Sequence, residues 1–359
     1  MYQKTDRATR EKYKANGYKL DQKIIPREHV LRLLKHDENY ITGLKRLNAE
    51  NEKHGNPWRY QTIPCRHCYA CSLNYAAEKA TRIMAEIQKD PEHAYFITLT
   101  YDDKHLPIPE RVYYGEAENA YFENDGTWIE GTLNKSDFVK FRDRLRKHLE
   151  YRGRLYNFKF FGCGEYGETT GRPHYHAILM SCHLDTNQFY GSHKEPSKTY
   201  ETWKSHELDK LWPLGIADVA KANWQDAAYV GRYTAKKWIK KSDDWEYYIR
   251  GKIPEFITQS KGIGDDYFIE NMDKIYDTDS MIAQTIKNRT SIVKPPKRCD
   301  QLLEKKDPEK FDKIKELREK ISEMLDSMIK KKSDYTDLER LRIQEEKITT
   351  KAKMLKREI

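Results

Sequence analysis

The hydrophobic period switches repeatedly between Cys71 and Met180, and this limits what the chain can fold into. Cys71–Lys89 (CSLNYAAEKATRIMAEIQK) places Leu73, Ala77, Ala80, Ile83, Met84 and Ile87 on one face at helical spacing. His93–Tyr101 (HAYFITLTY) is β-branched and aromatic throughout, as in a buried strand. Asn134–Tyr151 returns to helical spacing, with Phe138, Phe141, Leu145 and Leu149 as the core stripe. Two more strands follow: Asn157–Gly167, ending at glycines, and Pro173–Met180. They are close enough in sequence to be antiparallel neighbours. Gly215–Trp224 predicts a short strand and Gln225–Lys241 a helix ending in lysines. Together these elements imply an α+β fold.

The rest of the chain reads differently. Residues 1–60 form a polar, basic arm with one short helix expected at Glu28–Leu34. The central domain spans 61–250, with a long irregular excursion at 103–132. Residues 183–210 read as polar connection, helical in part from Thr202 to Trp212, and 251–300 as an irregular extension. A charged helical segment occupies 301–359. There, Ile314, Leu317, Ile321, Met324 and Met328 step as a heptad seam. The stretch KKKSDYTD interrupts it, and Leu338, Leu341, Ile348 and Leu355 continue on a second helix. The expectation is a helical hairpin or short coiled coil without chemistry.

Composition narrows the class. Charged residues make up 34% and aromatics 12%, which suits a folded protein with a wet surface. The net charge of +9 suits a polyanionic partner, because lysine and arginine that neutralise phosphates release counterions. No apolar run is long enough for a transmembrane helix, and the opening MYQKTDRATREKYK lacks the apolar core of a signal peptide. Three of the six cysteines fall in PCRHCYAC, unlike a secreted disulfide framework, so a reducing, intracellular setting is expected.

Several residues could carry chemistry. On a strand, His174 and His176 point to one face and Tyr175 to the other. Two imidazoles joined by a carboxylate from the preceding segment make a divalent-metal site with open positions. A strand can also carry two histidines that hold nothing. Tyr229 and Tyr233, four apart, share a helix face, with Lys236 on the same side. A metal, a tyrosine and a lysine are the parts needed to cut a phosphodiester and keep the 5′ phosphate on the tyrosine. Cys65, Cys68 and Cys71 have the spacing of a structural zinc cluster. His54, His67 and Cys163 are candidates for its fourth ligand. The alternative is a helix start with small buried thiols.

Three stretches, FITLTYDDKHLP, GEYGETTGRPHYH and YVGRYTAKK, resemble motifs I, II and III of the HUH rolling-circle replication initiators. The details, including PCRHCYACSLNYAAEKATRIMAE before motif I, are most similar to the initiators of microviruses of the gokushovirus branch, small circular single-stranded DNA phages. The resemblance covers about residues 60–240. It implies an HUH endonuclease domain, a central antiparallel sheet of ferredoxin or RRM type flanked by helices. It implies that His174, His176 and Glu165 hold Mg²⁺ or Mn²⁺, with Glu168 the rival third ligand. Tyr229 and Tyr233 would alternate in cutting, and Lys236 matches the motif III lysine. Thr98 and Thr100 lie in motif I with a structural or DNA-facing role, and no role falls to Asp102 and Asp103. The chain departs from the pattern at Gly231-Arg232, where a glycine loosens a helix by roughly 1 kcal/mol against alanine.

The function so implied is nicking and rejoining of single-stranded DNA at a phage origin through a 5′-phosphotyrosine intermediate, in the cytoplasm of the bacterial host. The partners are single-stranded and supercoiled replicative-form origin DNA. No Gly-x-x-x-x-Gly-Lys-Ser/Thr loop is present, so strand separation calls for a host helicase, alongside host polymerase and single-strand binding protein. The alternatives are a plasmid or mobile-element initiator with the same chemistry, a hydrolase using water at the metal, and a non-enzymatic, zinc-containing DNA-binding protein.

Overall fold

The computed structural model describes residues 2–3, 40–55, 60–61, 69–109, 131–167, 170–193, 201–223, 226–231, 251–286, 289–331, 335 and 337–354. Two compact units divide the chain, one made of residues 1–66 and 320–356 and the other of 67–319 and 357–359. In the first, β1 (Tyr2–Gln3) pairs antiparallel with β2 (Tyr60–Gln61), and α1 spans Tyr40–Lys53. The expected helix at Glu28–Leu34 lies outside the described residues.

The second unit is built on a seven-stranded antiparallel sheet flanked by helices. Its elements run α2 (Tyr69–Ile87), β3 (Tyr95–Tyr101), α3 (Lys135–Tyr151), β4 (Leu155–Tyr166), β5 (Pro173–Cys182), β6 (Phe189–His193), β7 (Thr202–Ser205), α4 (His206–Leu211) and β8 (Gly215–Lys221). A helical stretch at 226–231 and β9 (Phe256–Gln259) follow. The strand order is β6-β7-β8-β3-β5-β4-β9, so β5 lies between β3 and β4 at the heart of the sheet. The α+β reading and the antiparallel pairing around residue 170 are borne out.

Both faces of the central strands are covered, which is why HAYFITLTY is continuously apolar. Tyr95, Ile97, Leu99 and Tyr101 enter a core with Phe138, Phe141, Leu145 and Leu149 of α3 and Leu208 and Leu211 of α4. Asn134 caps α3, its side chain accepting from Ser136 N, and Asp137 in the first turn complements the helix dipole. On the other face Phe96, Ile178 and Met180 pack against Ala80, Ile83 and Ile87 of α2 and Ala227–Val230. The expected α2 stripe is correct at those three positions but turned slightly. Ala76 is buried whereas Ala77 is exposed.

Two sequence expectations are corrected. The polar connection at 183–210 contains β6 and β7, and helix starts only at His206. These are short edge strands whose exposed, polar side chains carry little apolar alternation. Residues 251–300, expected to be irregular, contribute β9 to the sheet against β4 and then form α5 (Asp265–Glu270), α6 (Met272–Asp277) and the hairpin β10 (Met281–Ile286)–β11 (Arg289–Val293). α7 (Lys297–Lys306), α8 (Pro308–Lys331) and α9 (Asp337–Met354) follow. Phe268, Met272, Ile275, Cys299, Leu303 and Ile314 make a third core. Along the heptad seam Ile314 is buried, while Leu317, Ile321, Met324 and Met328 are exposed. No helix among the described residues is long and apolar enough to cross a membrane.

At the start of β8, Gly215 adopts φ +156, and an added Cβ would collide with the backbone of Thr100 and Asp102. Trp212 reaches the same place, donating from Nε1 to the Thr100 carbonyl at 3.2 Å. Gly215→Ala is expected to cost about 1–3 kcal/mol, read as a lowered urea midpoint at unchanged slope. An unchanged midpoint would mean that β8 does not seat this closely on β3.

Candidate metal and tyrosine site

The register of the three central strands assembles the site. Glu165 on β4 lies opposite His174 on β5, and His176 lies opposite Thr98 on β3. All four point to the face covered by α2 and residues 226–231. His174 Nε2 and His176 Nε2 each lie 2.9 Å from one oxygen of Glu165, Oε1. The other ring nitrogens are also held. His174 Nδ1 is 3.0 Å from the Arg172 carbonyl, and His176 Nδ1 is 2.9 Å from Thr98 Oγ1. The carbonyl can only accept, so it sets the proton on His174 Nδ1 and leaves Nε2 as the ligand atom. Phe96 stacks on His176 with ring centroids 5.2 Å apart.

Tyr229 completes the arrangement. It lies in the helical stretch 226–231, buried, with its hydroxyl donating to Glu165 Oε1 at 3.1 Å and its ring edge-on to His176. Gly231 follows in the same helical stretch. A Cβ there would stand 2.8 Å from the Ala76 carbonyl oxygen of α2. The glycine that reads as a loosening of the helix is thus a close backbone contact. Tyr233, Lys236 and the rival ligand Glu168 lie outside the described residues, as do Cys65, Cys68 and His67. Of the remaining zinc candidates, Cys71 is half-buried on α2, Cys163 is buried in the sheet and His54 is exposed.

The chemistry of the donor set fits a divalent cation. Two imidazole nitrogens and a carboxylate oxygen converge within 4.8 Å of one another. Glu165 Oε2 is buried and has no hydrogen-bond partner, an acceptor that a cation would satisfy. Burial by itself would raise the Glu165 pKa, but hydrogen bonds from His174 and His176 and their charge outweigh it and hold the carboxyl well below its usual range. Burial likewise pulls His174 down, yet its hydrogen bond to Glu165 and that group's charge raise it overall. Sequence reasoning found the three ligand candidates. It left the task of Thr98 open and gave none to Phe96 or the Arg172 carbonyl, because cross-strand partners show only once the register is known.

An antiparallel α+β protein with a three-residue cation site beneath a tyrosine-bearing helix is the class that fold and geometry define. The chain belongs to the replication-associated protein ORF2 family, whose pattern matches residues 94–238. It is 33% identical to the replication-associated protein ORF2 of Spiroplasma virus 4, over 83% of this chain and 90% of that protein. It is 31% identical to the replication-associated protein VP4 of Bdellovibrio phage phiMH2K, over 52% of each chain. It is 26% identical to the replication-associated protein ORF4 of Chlamydia phage 1, over 61% of this chain and 49% of that one. No solved structure matches. The expected kinship with microvirus replication proteins is therefore shown.

A pH prediction follows from the Glu165 contacts. Glu165, lowered from 4.5, contributes stability that is complete above 4.5 and fades as pH falls through its folded value. His174, raised from 6.5, contributes stability that is complete below 6.5 and fades as pH rises through its folded value. In EDTA, Glu165→Gln is expected to lower the melting temperature most between those two values, with a smaller loss on either side. A loss that does not vary across this range would contradict a charged cluster.

Proposed function

We propose that this protein initiates phage DNA replication by nicking and rejoining single-stranded DNA at the phage origin through a 5′-phosphotyrosine intermediate. The single observation that carries this reading is the Tyr229 hydroxyl, 3.1 Å from the same Glu165 oxygen that takes both histidines. A nucleophile and a cation site that share one atom can act on one phosphate.

Glu165, His174 and His176 would hold Mg²⁺ or Mn²⁺. The bound ion would polarise the phosphate and stabilise the leaving oxygen. The phenol of Tyr229 gives up its proton and its oxygen attacks phosphorus. A tyrosine–phosphorus ester forms, the bond to the 3′ oxygen breaks, and that oxygen takes up a proton as the 3′ hydroxyl. One phosphodiester is exchanged for another, so the reverse reaction can rejoin the ends without an outside energy source. Tyr233 would make the second cut while Tyr229 holds the first strand, with Lys236 adding positive charge against the phosphate. Thr98 and the Arg172 carbonyl position the imidazoles. The sheet and its two helical coverings serve as the HUH endonuclease domain, and the C-terminal helices would pair as a hairpin or coiled coil. Single-stranded and supercoiled origin DNA are the proposed substrates, opened by a host helicase and copied by host polymerase with single-strand binding protein.

The test uses a labelled single-stranded oligonucleotide library that covers the phage origin, with purified protein and Mn²⁺, run on a denaturing gel. A covalent protein–DNA band is expected, lost with EDTA and lost in the Tyr229→Phe/Tyr233→Phe double variant. The single variants would show which tyrosine cuts first. Cleavage without a covalent band would point to hydrolysis by water at the cation site. Binding without cleavage at any origin would leave a DNA-binding protein. Thr98→Val is expected to weaken Mn²⁺ binding about 10–100-fold with the fold intact, measured by calorimetric titration.

A further inference from the structure

A second group of ligating side chains stands at the opposite end of the β3–β5 pair. Asp90 and His93 belong to the turn that leads into β3, and His183 follows directly on β5. His183 is seven residues beyond His176, about 20 Å along a strand, so the two groups are separate. His93 Nδ1 lies 2.6 Å from Asp90 Oδ1, and His183 Nε2 lies 3.1 Å from Asp90 Oδ2. The two imidazoles stack with centroids 3.6 Å apart and planes 26° from parallel. One carboxylate therefore presents each of its oxygens to a different ring, and the three residues' ligand atoms lie within 4.8 Å of one another.

The backbone builds this group from both sides. His93 N donates to the Asp90 carbonyl, closing the short 3₁₀ turn Pro91–His93 that brings ring and carboxylate together. On the other side Ser181 adopts φ +49 and Leu184 N donates to the Cys182 carbonyl, a tight turn with His183 at its centre. The non-glycine left-handed residue is a conformational cost, and it redirects the chain as it leaves β5. Tyr156 packs its ring against His183 at 4.8 Å. Each of the three ligand candidates is only part-exposed.

We propose that Asp90, His93 and His183 form a zinc site that fastens the start of β3 to the end of β5, distinct from the site at Glu165. Two imidazoles and a carboxylate are a ligand set that suits zinc, with water completing the tetrahedron. Ligand atoms held about 2.0–2.2 Å from a tetrahedral zinc lie a little over 3 Å from each other, close to the spacings found here. The ion would replace the protons that the rings share with Asp90 and would relieve the repulsion that two protonated, stacked imidazoles would feel. Its effect would be structural, since ordering these ends supports the register of β3 on β5.

The experiment uses the full-length chain, stripped with EDTA and exposed to Zn²⁺ alone. Bound zinc is measured after gel filtration, and the melting temperature is measured with and without zinc. Asp90→Asn and His183→Asn keep size and hydrogen-bonding capacity, and each is expected to bind about one zinc equivalent fewer than the parent. Both should keep the parent's far-ultraviolet circular dichroism. A combined His174→Ala/His176→Ala variant should still lose a further equivalent on addition of His183→Asn, which separates the two sites. Cobalt in place of zinc should lose visible absorption of a nitrogen–oxygen set in His183→Asn, while any thiolate charge-transfer band persists. Unchanged zinc stoichiometry in both Asp90→Asn and His183→Asn would overturn the proposal. So would cobalt spectra that neither substitution alters.

Discussion

The pairing of β5 with β4 on one side and β3 on the other is the interaction on which the rest depends. It sets Glu165 against His174 and Thr98 against His176. A slip of one residue would turn both imidazoles to the opposite face and bring Tyr175 to the front. The register is specified from behind as well. Tyr175 points into the back core, where its hydroxyl accepts from Asn134 N and donates to the Asn134 carbonyl, each at 2.8 Å. Tyr101 and Asp137 extend the chain of hydrogen bonds. A slip would leave these polar groups buried without partners, which costs roughly 1–3 kcal/mol for each.

The two faces of β5 thus treat tyrosine in opposite ways. Burial first, and then the neighbouring phenol and carboxylate, push Tyr101 far above the usual phenol range, so it serves as a neutral donor. Tyr229 is buried on the other face, but its hydroxyl meets the carboxylate that both histidines neutralise. The same side-chain type is a structural strut behind the sheet and the proposed nucleophile in front of it. What separates the roles is the charge gathered around each oxygen.

How much of this was legible in the sequence differed by element. The α3 stripe was clear because Phe138, Phe141, Leu145 and Leu149 obey helical spacing and all enter one core. Strands β3, β4 and β5 were clear because they are apolar on both faces. The strands β6, β7 and β9 were missed, since each is short and takes its stability from a neighbour already in place. Glu165, His174 and His176 stood out through local spacing. Asp90, His93 and His183 did not, because antiparallel pairing alone brings residues 90 and 183 together. The tail shows a further limit. Periodicity located α8, yet spacing does not say what covers a stripe, and Leu317 to Met328 are exposed.

The contact between Gly231 and the Ala76 carbonyl has a consequence for how substrate could reach the site. With no side chain between them, the backbones of the tyrosine-bearing stretch and α2 are in van der Waals contact, and Tyr229 lies only two residues away. Its ring is wedged against His176 and its hydroxyl is tethered. A side chain so anchored cannot swing outward to meet a stiff duplex. The strand has to travel to the oxygen, and an unpaired, pliable strand bends into such a recess more readily than paired DNA. Strandedness would then be selected by access, before any base is read.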